Sequence, residues 1–110
     1  MFIRLYVNAK GEPEARSVLD KVLEIFDPVL QNKEIQKVEP YWKIDGVYVV
    51  EMTMLILEGK TEVEINGILE SIADKWIRFG SPTNELLAFD TTENCNFLLE
   101  GLKMINIHFE

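Results

Sequence analysis

The stretch from Ile35 to Leu57 constrains the fold more than any other part of the chain. Beyond Asp45-Gly46, the residues Tyr48, Val50, Met52, Met54 and Ile56 form an unbroken apolar row at every second position. That period belongs to a strand with one buried face. Before the turn, Val38, Pro40 and Trp42 share one face, while Lys37, Glu39, Tyr41 and Lys43 share the other. The two segments read as a hairpin whose turn decides the register. A two-residue Asp45-Gly46 turn would pair Ile44 with Val47 and mix Lys43 and Glu39 with Tyr48 and Met52. A three-residue Ile44-Asp45-Gly46 loop, with Gly46 left-handed, pairs Lys43 with Val47 and aligns Val38, Pro40 and Trp42 with the apolar row. The second arrangement buries one consistent face and is the expected register. Pro40 has no N–H to give to a ladder, so its strand is expected at a sheet edge.

The rest of the chain supplies the partners of this hairpin. Ile3, Leu5 and Val7 alternate with Arg4, Tyr6 and Asn8, a half-buried strand. After Lys10-Gly11, Pro13 suits a first helical turn, and Glu12 and Glu14 complement the positive end of the helix dipole. Ala15, Val18, Leu19, Val22, Ile25 and Phe26 then recur at helical spacing, and Pro28 ends that helix near Asp27. Thr61-Glu62-Val63-Glu64 reads as a capping box opening a second helix. Its stripe is Ile65, Ile68, Leu69, Ile72, Ala73 and Trp76, ending near Gly80-Ser81-Pro82. Asn66-Gly67 allows a competing reading in which residues 61–65 form a short strand and turn. Leu86 to Phe89 reads as a fourth strand. Ile105, Ile107 and Phe109 alternate in a terminal strand, and Thr92 to Gly101 forms either a short helix or a wide hairpin.

The order is strand, helix, strand, strand, helix, strand, with a terminal strand added. It predicts one α+β domain over residues 1–110, a mainly antiparallel sheet of ferredoxin-like split βαβ pattern with both helices on one face. The other face is then open. On the chosen register it displays Arg4, Tyr6, Tyr41, Lys43, Glu51, Thr53, Asn106 and His108, with Val47, Val49 and Met104 among them and Asp45 in the loop. Tyrosine and arginine set among apolar residues suit a contact surface.

Chemistry-bearing motifs are missing from this pattern. The sequence holds no glycine-rich phosphate loop, no Cys-x-x-Cys, no His-Glu-x-x-His and no Gly-x-Ser-x-Gly. Its one histidine, His108, falls on an outward strand position, and its one cysteine, Cys95, has Glu93 and no cation nearby to favour a thiolate. No catalytic residue, metal ligand or cofactor is therefore expected. A formal net charge of −8 opposes nucleic acid and anionic membranes as partners and favours a basic protein. Acids available for that contact include Glu24 and Asp27, Asp45, Glu70 and Asp74. A single cysteine fits a reducing, cytoplasmic setting, and Arg4 interrupts what would be a signal peptide's apolar region.

In size, acidity, the Trp42-Lys43-Ile44-Asp45-Gly46-Val47-Tyr48 hairpin and the lack of catalytic signatures, the chain resembles the small single-domain immunity proteins that bacteria encode beside secreted toxins. That resemblance implies tight binding of a cognate toxin and no turnover; it assigns no binding residues. The strand order is also similar to that of the dimeric α/β-barrel family of small monooxygenases, heme-degrading enzymes and stress-response proteins. That second resemblance implies a homodimer through open sheet faces, with a small-molecule pocket. The long predicted second helix and the near-terminal histidine depart from it.

Overall fold

Ile3, Leu5 and Val7 are completely buried, and the strand that carries them, β1 (Phe2–Asn8), lies inside a six-stranded sheet. The computed structural model describes residues 1–60, 62–90 and 95–109. After β1 come α1 (Glu12–Phe26), a 3₁₀ turn (Asp27–Val29), β2 (Leu30–Pro40) and β3 (Val47–Ile56). Then follow α2 (Glu62–Glu70), β4 (Ile77–Phe79), β5 (Glu85–Phe89) and β6 (Leu102–His108). The strands lie in the order β2-β3-β1-β6-β5-β4, and every neighbouring pair is antiparallel. The described residues thus form a mixed α+β protein, mostly sheet, with two α-helices among them.

One apolar cluster holds the molecule together. Ala15, Val18, Leu19, Val22 and Phe26 of α1 pack with Ile3 and Leu5 of β1, Val50, Met52 and Met54 of β3, and Ile105 and Ile107 of β6. Leu69 of α2, followed by Ile72 and Ala73, enters the same cluster. The apolar periodicities of β1, α1 and β3 thus appear as the strand and helix faces they predict, and Pro40 lies on the edge strand as expected.

The hairpin register differs from expectation by two residues. Pro40, rather than Trp42, stands opposite Tyr48, and the Tyr41 N–H donates to the Val47 carbonyl at 2.8 Å. The loop is therefore Trp42 to Gly46, with Gly46 left-handed at φ +78° as the turn requires. A slip of two leaves each side chain on the same face, so Val38 and Pro40 still join Tyr48 and Val50, but it moves Trp42 out of the strand. A hydrogen bond from the Ala9 N–H to the Gly46 carbonyl, 2.9 Å, ties the loop to the end of β1. A bulge between Ile35 and Lys37 also lets Ile35 and Val38 both turn inward although they are three residues apart.

The second helix is shorter than its apolar stripe. It covers Glu62–Glu70, which replaces the competing strand at residues 61–65; Thr61, the expected cap, lies outside the described residues. Past Glu70 the chain turns through bonds from the Ser71 and Ile72 N–H groups to the carbonyls three residues earlier, both 3.0 Å. The Trp76 indole N–H caps this end by donating to the carbonyls of Leu69 (3.0 Å) and Ala73 (3.2 Å). Ile72 and Ala73 stay buried, but they are held by pairing with the segment after residue 94 rather than by a helix. Asp74 consequently leaves the helix that the sequence assigns it to, and β4 takes up the residues beyond.

The strand order also departs from the expected split βαβ pattern. The strand that follows the second helix does not lie beside β1; the terminal strand β6 takes that place, and β4 and β5 form a hairpin outside it. β6 buries Leu102, Ile105 and Ile107 and also keeps Asn106 from solvent, so it suits an interior position. Of the segment left open between helix and hairpin, residues 91–94 lie outside the described residues. Residues 95–101 contain neither; Phe97 instead bridges Ala73, with the Leu98 N–H on the Ile72 carbonyl at 2.8 Å. Gly101 at φ +98° closes this segment against α1, where a Cβ would stand 2.7 Å from a Val18 methyl.

Two outcomes follow. Met52→Asp places an unpaired carboxylate in the middle of the cluster and should cost more than about 3 kcal/mol in urea denaturation. The Asp74 carboxylate accepts the Asn96 backbone N–H at 2.6 Å and its side-chain amide at 3.1 Å, and these bonds, the backbone one foremost, hold its pKa below the ordinary 3.8. Because the folded value is depressed, the stabilisation is present above the ordinary value and disappears as pH falls through the folded one. Asp74→Ala at neutral pH, and acid in the unaltered chain, should each lower the hydrogen-exchange protection of the Leu98 amide relative to the Ile105 amide.

Candidate functional site

Alternation along β1 that buries Ile3, Leu5 and Val7 turns Arg4 and Tyr6 to the opposite face, where no helix-borne residue of the core cluster lies. Arg4 stands across from Glu51 on one side and Asn106 on the other. Its Nε donates to Glu51 Oε2 at 2.7 Å, and its guanidinium lies 5.5 Å from the Phe2 ring centre. Lys37 Nζ reaches Glu51 at 3.9 Å and Glu39 at 3.6 Å. Thr53 accepts from the Gln36 amide at 2.9 Å.

The tyrosines form the centre of the hairpin end. Tyr6 and Tyr41 meet edge to face, with ring centres 5.0 Å apart, a favoured aromatic geometry. Together they border two hollows. One, of about 180 Å³, is lined by Tyr6, Tyr41, Ile44, Phe89, Lys103 and Met104. The other, of about 160 Å³, lies between Trp42, Tyr41 and Tyr6 and the charged groups Arg4, Lys37, Glu39 and Glu51. Lys103 at the first hollow pairs with Asp90 at 3.4 Å. Around the two hollows three cations thus face three carboxylates, each in an ion pair. The excess of acid in this chain lies elsewhere.

The far end of the face is organised differently. Asn106 is only 8% exposed, and its amide donates to Glu85 Oε2 at 2.8 Å and to the Leu86 carbonyl at 3.1 Å. His108 Nε2 stands 3.6 Å from the same Glu85 oxygen, and its ring lies 6.3 Å from that of Phe2. The amide of Asn106 is therefore engaged internally, while His108 keeps an exposed edge. Arg4, Tyr6, Tyr41 and Glu51 come together in one cluster; Thr53, Asn106 and His108 lie beyond it, and Lys43 and Asp45 stand on the loop. Cys95 is buried, with its thiol 3.5 Å from the Lys75 carbonyl. Among the described residues, no three His, Cys, Asp or Glu side chains converge to hold a metal ion, and no helix is long and apolar enough to cross a membrane.

The residue that sequence reasoning places elsewhere is Trp42. Expected on the buried side of the hairpin, it is 83% exposed at the loop, with Lys43 Nζ 5.0 Å from its ring centre. Ile44 beside it is exposed as well. Periodicity carries no signal for this, since Trp42 keeps the parity of Pro40 and Val38; only the loop length separates the two outcomes. No family model matches the chain, and neither a curated protein nor a solved structure matches it.

A tryptophan this exposed makes few contacts that folding depends on. Trp42→Ala should change the unfolding free energy by no more than about 0.5 kcal/mol. Tyr41→Ala, which removes the edge-to-face contact, should cost more, and urea denaturation of the two variants side by side checks the difference.

Proposed function

We infer that this chain is a non-enzymatic protein-binding module that works as an immunity-type inhibitor, neutralising a basic toxin by binding it through the hairpin loop and the open sheet face. The observation that carries the reading is the exposed Trp42, continuous with Ile44 and the Tyr6–Tyr41 pair. Leaving a large apolar ring exposed to water is unfavourable unless a partner covers it, and tryptophan and tyrosine dominate the energetically important positions of interfaces. The Tyr6–Tyr41 pair is already formed beside the loop, so that part of the contact energy is not spent on ordering.

Charge and contact divide the work. The groups around the hollows neutralise one another, whereas exposed acids such as Asp20 and Glu24 on α1 and Asp45 on the loop carry excess negative charge. That field draws a basic partner and speeds encounter, while the aromatic cluster holds it. A blocking surface needs no nucleophile, which agrees with the lack of recognised catalytic motifs. We read the architecture as a ferredoxin-like sheet, β2-β3-β1-β6, widened by an added β4–β5 hairpin; this leaves a broad face for a partner to sit on. A cytoplasmic setting fits the one thiol.

The test is capture of the product of the adjacent gene by the purified chain, followed by binding kinetics. Association should slow as salt rises and screens exposed charges beyond roughly 8 Å, with dissociation changing less. Trp42→Ala should weaken binding by about thirtyfold or more, the scale of an interface hot spot, and His108→Ala should leave it nearly unchanged. Failure to bind that partner or any basic protein at micromolar concentration removes the reading, and loss of a turnover activity in His108→Ala would replace it with an enzymatic one.

A further inference from the structure

The second of the two hollows combines aromatic walls with carboxylates, and we propose that it receives the guanidinium of an arginine side chain presented by the basic partner. The assignment rests on the binding reading above and names the group that this surface recognises. The walls are the first argument. The Tyr6 and Tyr41 rings meet at 77° and those of Tyr41 and Trp42 at 58°, so three rings stand at steep angles around one space. Aromatic faces attract cations, that of tryptophan most strongly. The same indole already attracts one, with Lys43 Nζ 5.0 Å from the Trp42 ring centre. Lys43 does not line the hollow, so it leaves the space between the rings to another group.

Charge is the second. Arg4 Nε donates to Glu51 Oε2 at 2.7 Å, a short charge-assisted bond. Lys37 Nζ, by contrast, stands 3.6 Å from Glu39 and 3.9 Å from Glu51, both beyond hydrogen-bond length. The Lys37 side chain is exposed and an ammonium is strongly hydrated, so it gives up these contacts to water readily. With Lys37 turned away, the hollow keeps one cation, Arg4, against two carboxylates, Glu39 and Glu51. One further positive charge restores neutrality.

Geometry selects the cation. An incoming ammonium can do little here that Lys37 does not already do. A guanidinium is planar and more weakly hydrated, and it stacks on an aromatic face while its fork of N–H donors reaches carboxylates. Glu39 and Glu51 Oε1, with the Tyr41 and Trp42 rings beside them, offer both kinds of contact. The hollow holds about 160 Å³, below the roughly 300 Å³ from which small-molecule sites run. It suits the end of one side chain better than a whole metabolite.

The test titrates N-acetyl-arginine amide into the full chain and reads binding from NMR shifts of the Val49 and Glu51 amides. The expected result is saturable binding, about threefold or more tighter than that of N-acetyl-lysine amide. Glu39→Gln and Trp42→Ala should each weaken it by about threefold or more. Lys37→Met should instead tighten it by about threefold, because the resident competitor is gone. Lys21→Met on α1 makes the same change in net charge and should leave it unaltered. Equal binding of the two probes, no gain in Lys37→Met, or no shift up to about 50 mM probe overturns the proposal. Capture of a basic partner equally well by the unaltered chain and by Glu39→Gln overturns it alone and leaves the binding reading standing. Arginine-selective binding with no basic protein captured overturns that reading, and with it the source of the arginine.

Discussion

Burial of one side of β1 is the constraint from which the rest of the structure follows. Ile3, Leu5 and Val7 have no solvent exposure, and burying side chains of this kind contributes about 1.5–3 kcal/mol each. To bury them the chain must supply strands on both sides and apolar cover above. β3 and β6 provide the first, and α1 with the residues around Leu69 and Ile72 provides the second. The same alternation that hides these three residues necessarily delivers Arg4 and Tyr6 to the other face. The open face is thus the geometric counterpart of the core.

Polar groups on that face largely satisfy one another. Exposed and half-exposed ion pairs such as Arg4–Glu51 add little to stability. Their consequence here is neutralisation, together with the internal engagement of Asn106 by Glu85 and the Leu86 carbonyl. What the face leaves unsatisfied is apolar: the Trp42 indole, Ile44 and the hollow beyond Tyr41.

The region after Glu70 shows how tertiary contacts replace a helix without disturbing the burial that the helical spacing requires. Ile72 and Ala73 occupy the core although the chain has turned, the Trp76 indole donates to the Leu69 and Ala73 carbonyls at this turn, and Asp74 gathers Asn96. Residues three and four apart share a face in a helix, and a compact turn capped by a side chain can bring the same residues to the same side. Apolar spacing therefore identifies the buried residues more securely than it identifies the backbone that presents them.

The sequence by itself determined the faces. The rows Ile3-Leu5-Val7 and Tyr48-Val50-Met52-Met54, the stripe of α1, the edge position of the Pro40 strand and the left-handed Gly46 turn all follow from side-chain period and backbone chemistry, which are local. Only the tertiary structure decided how far the hairpin loop extends, where the second helix stops and which strand lies beside β1. A two-residue slip leaves every face unchanged, so the pattern is blind to it, and the bond between Ala9 and Gly46 sets the loop instead. The position beside β1 went to the strand that fills an interior site, a competition between distant segments that no local period encodes. Trp42 became an exposed knob for the same reason: its parity is that of a buried residue, and only the length of the loop carries it into solvent.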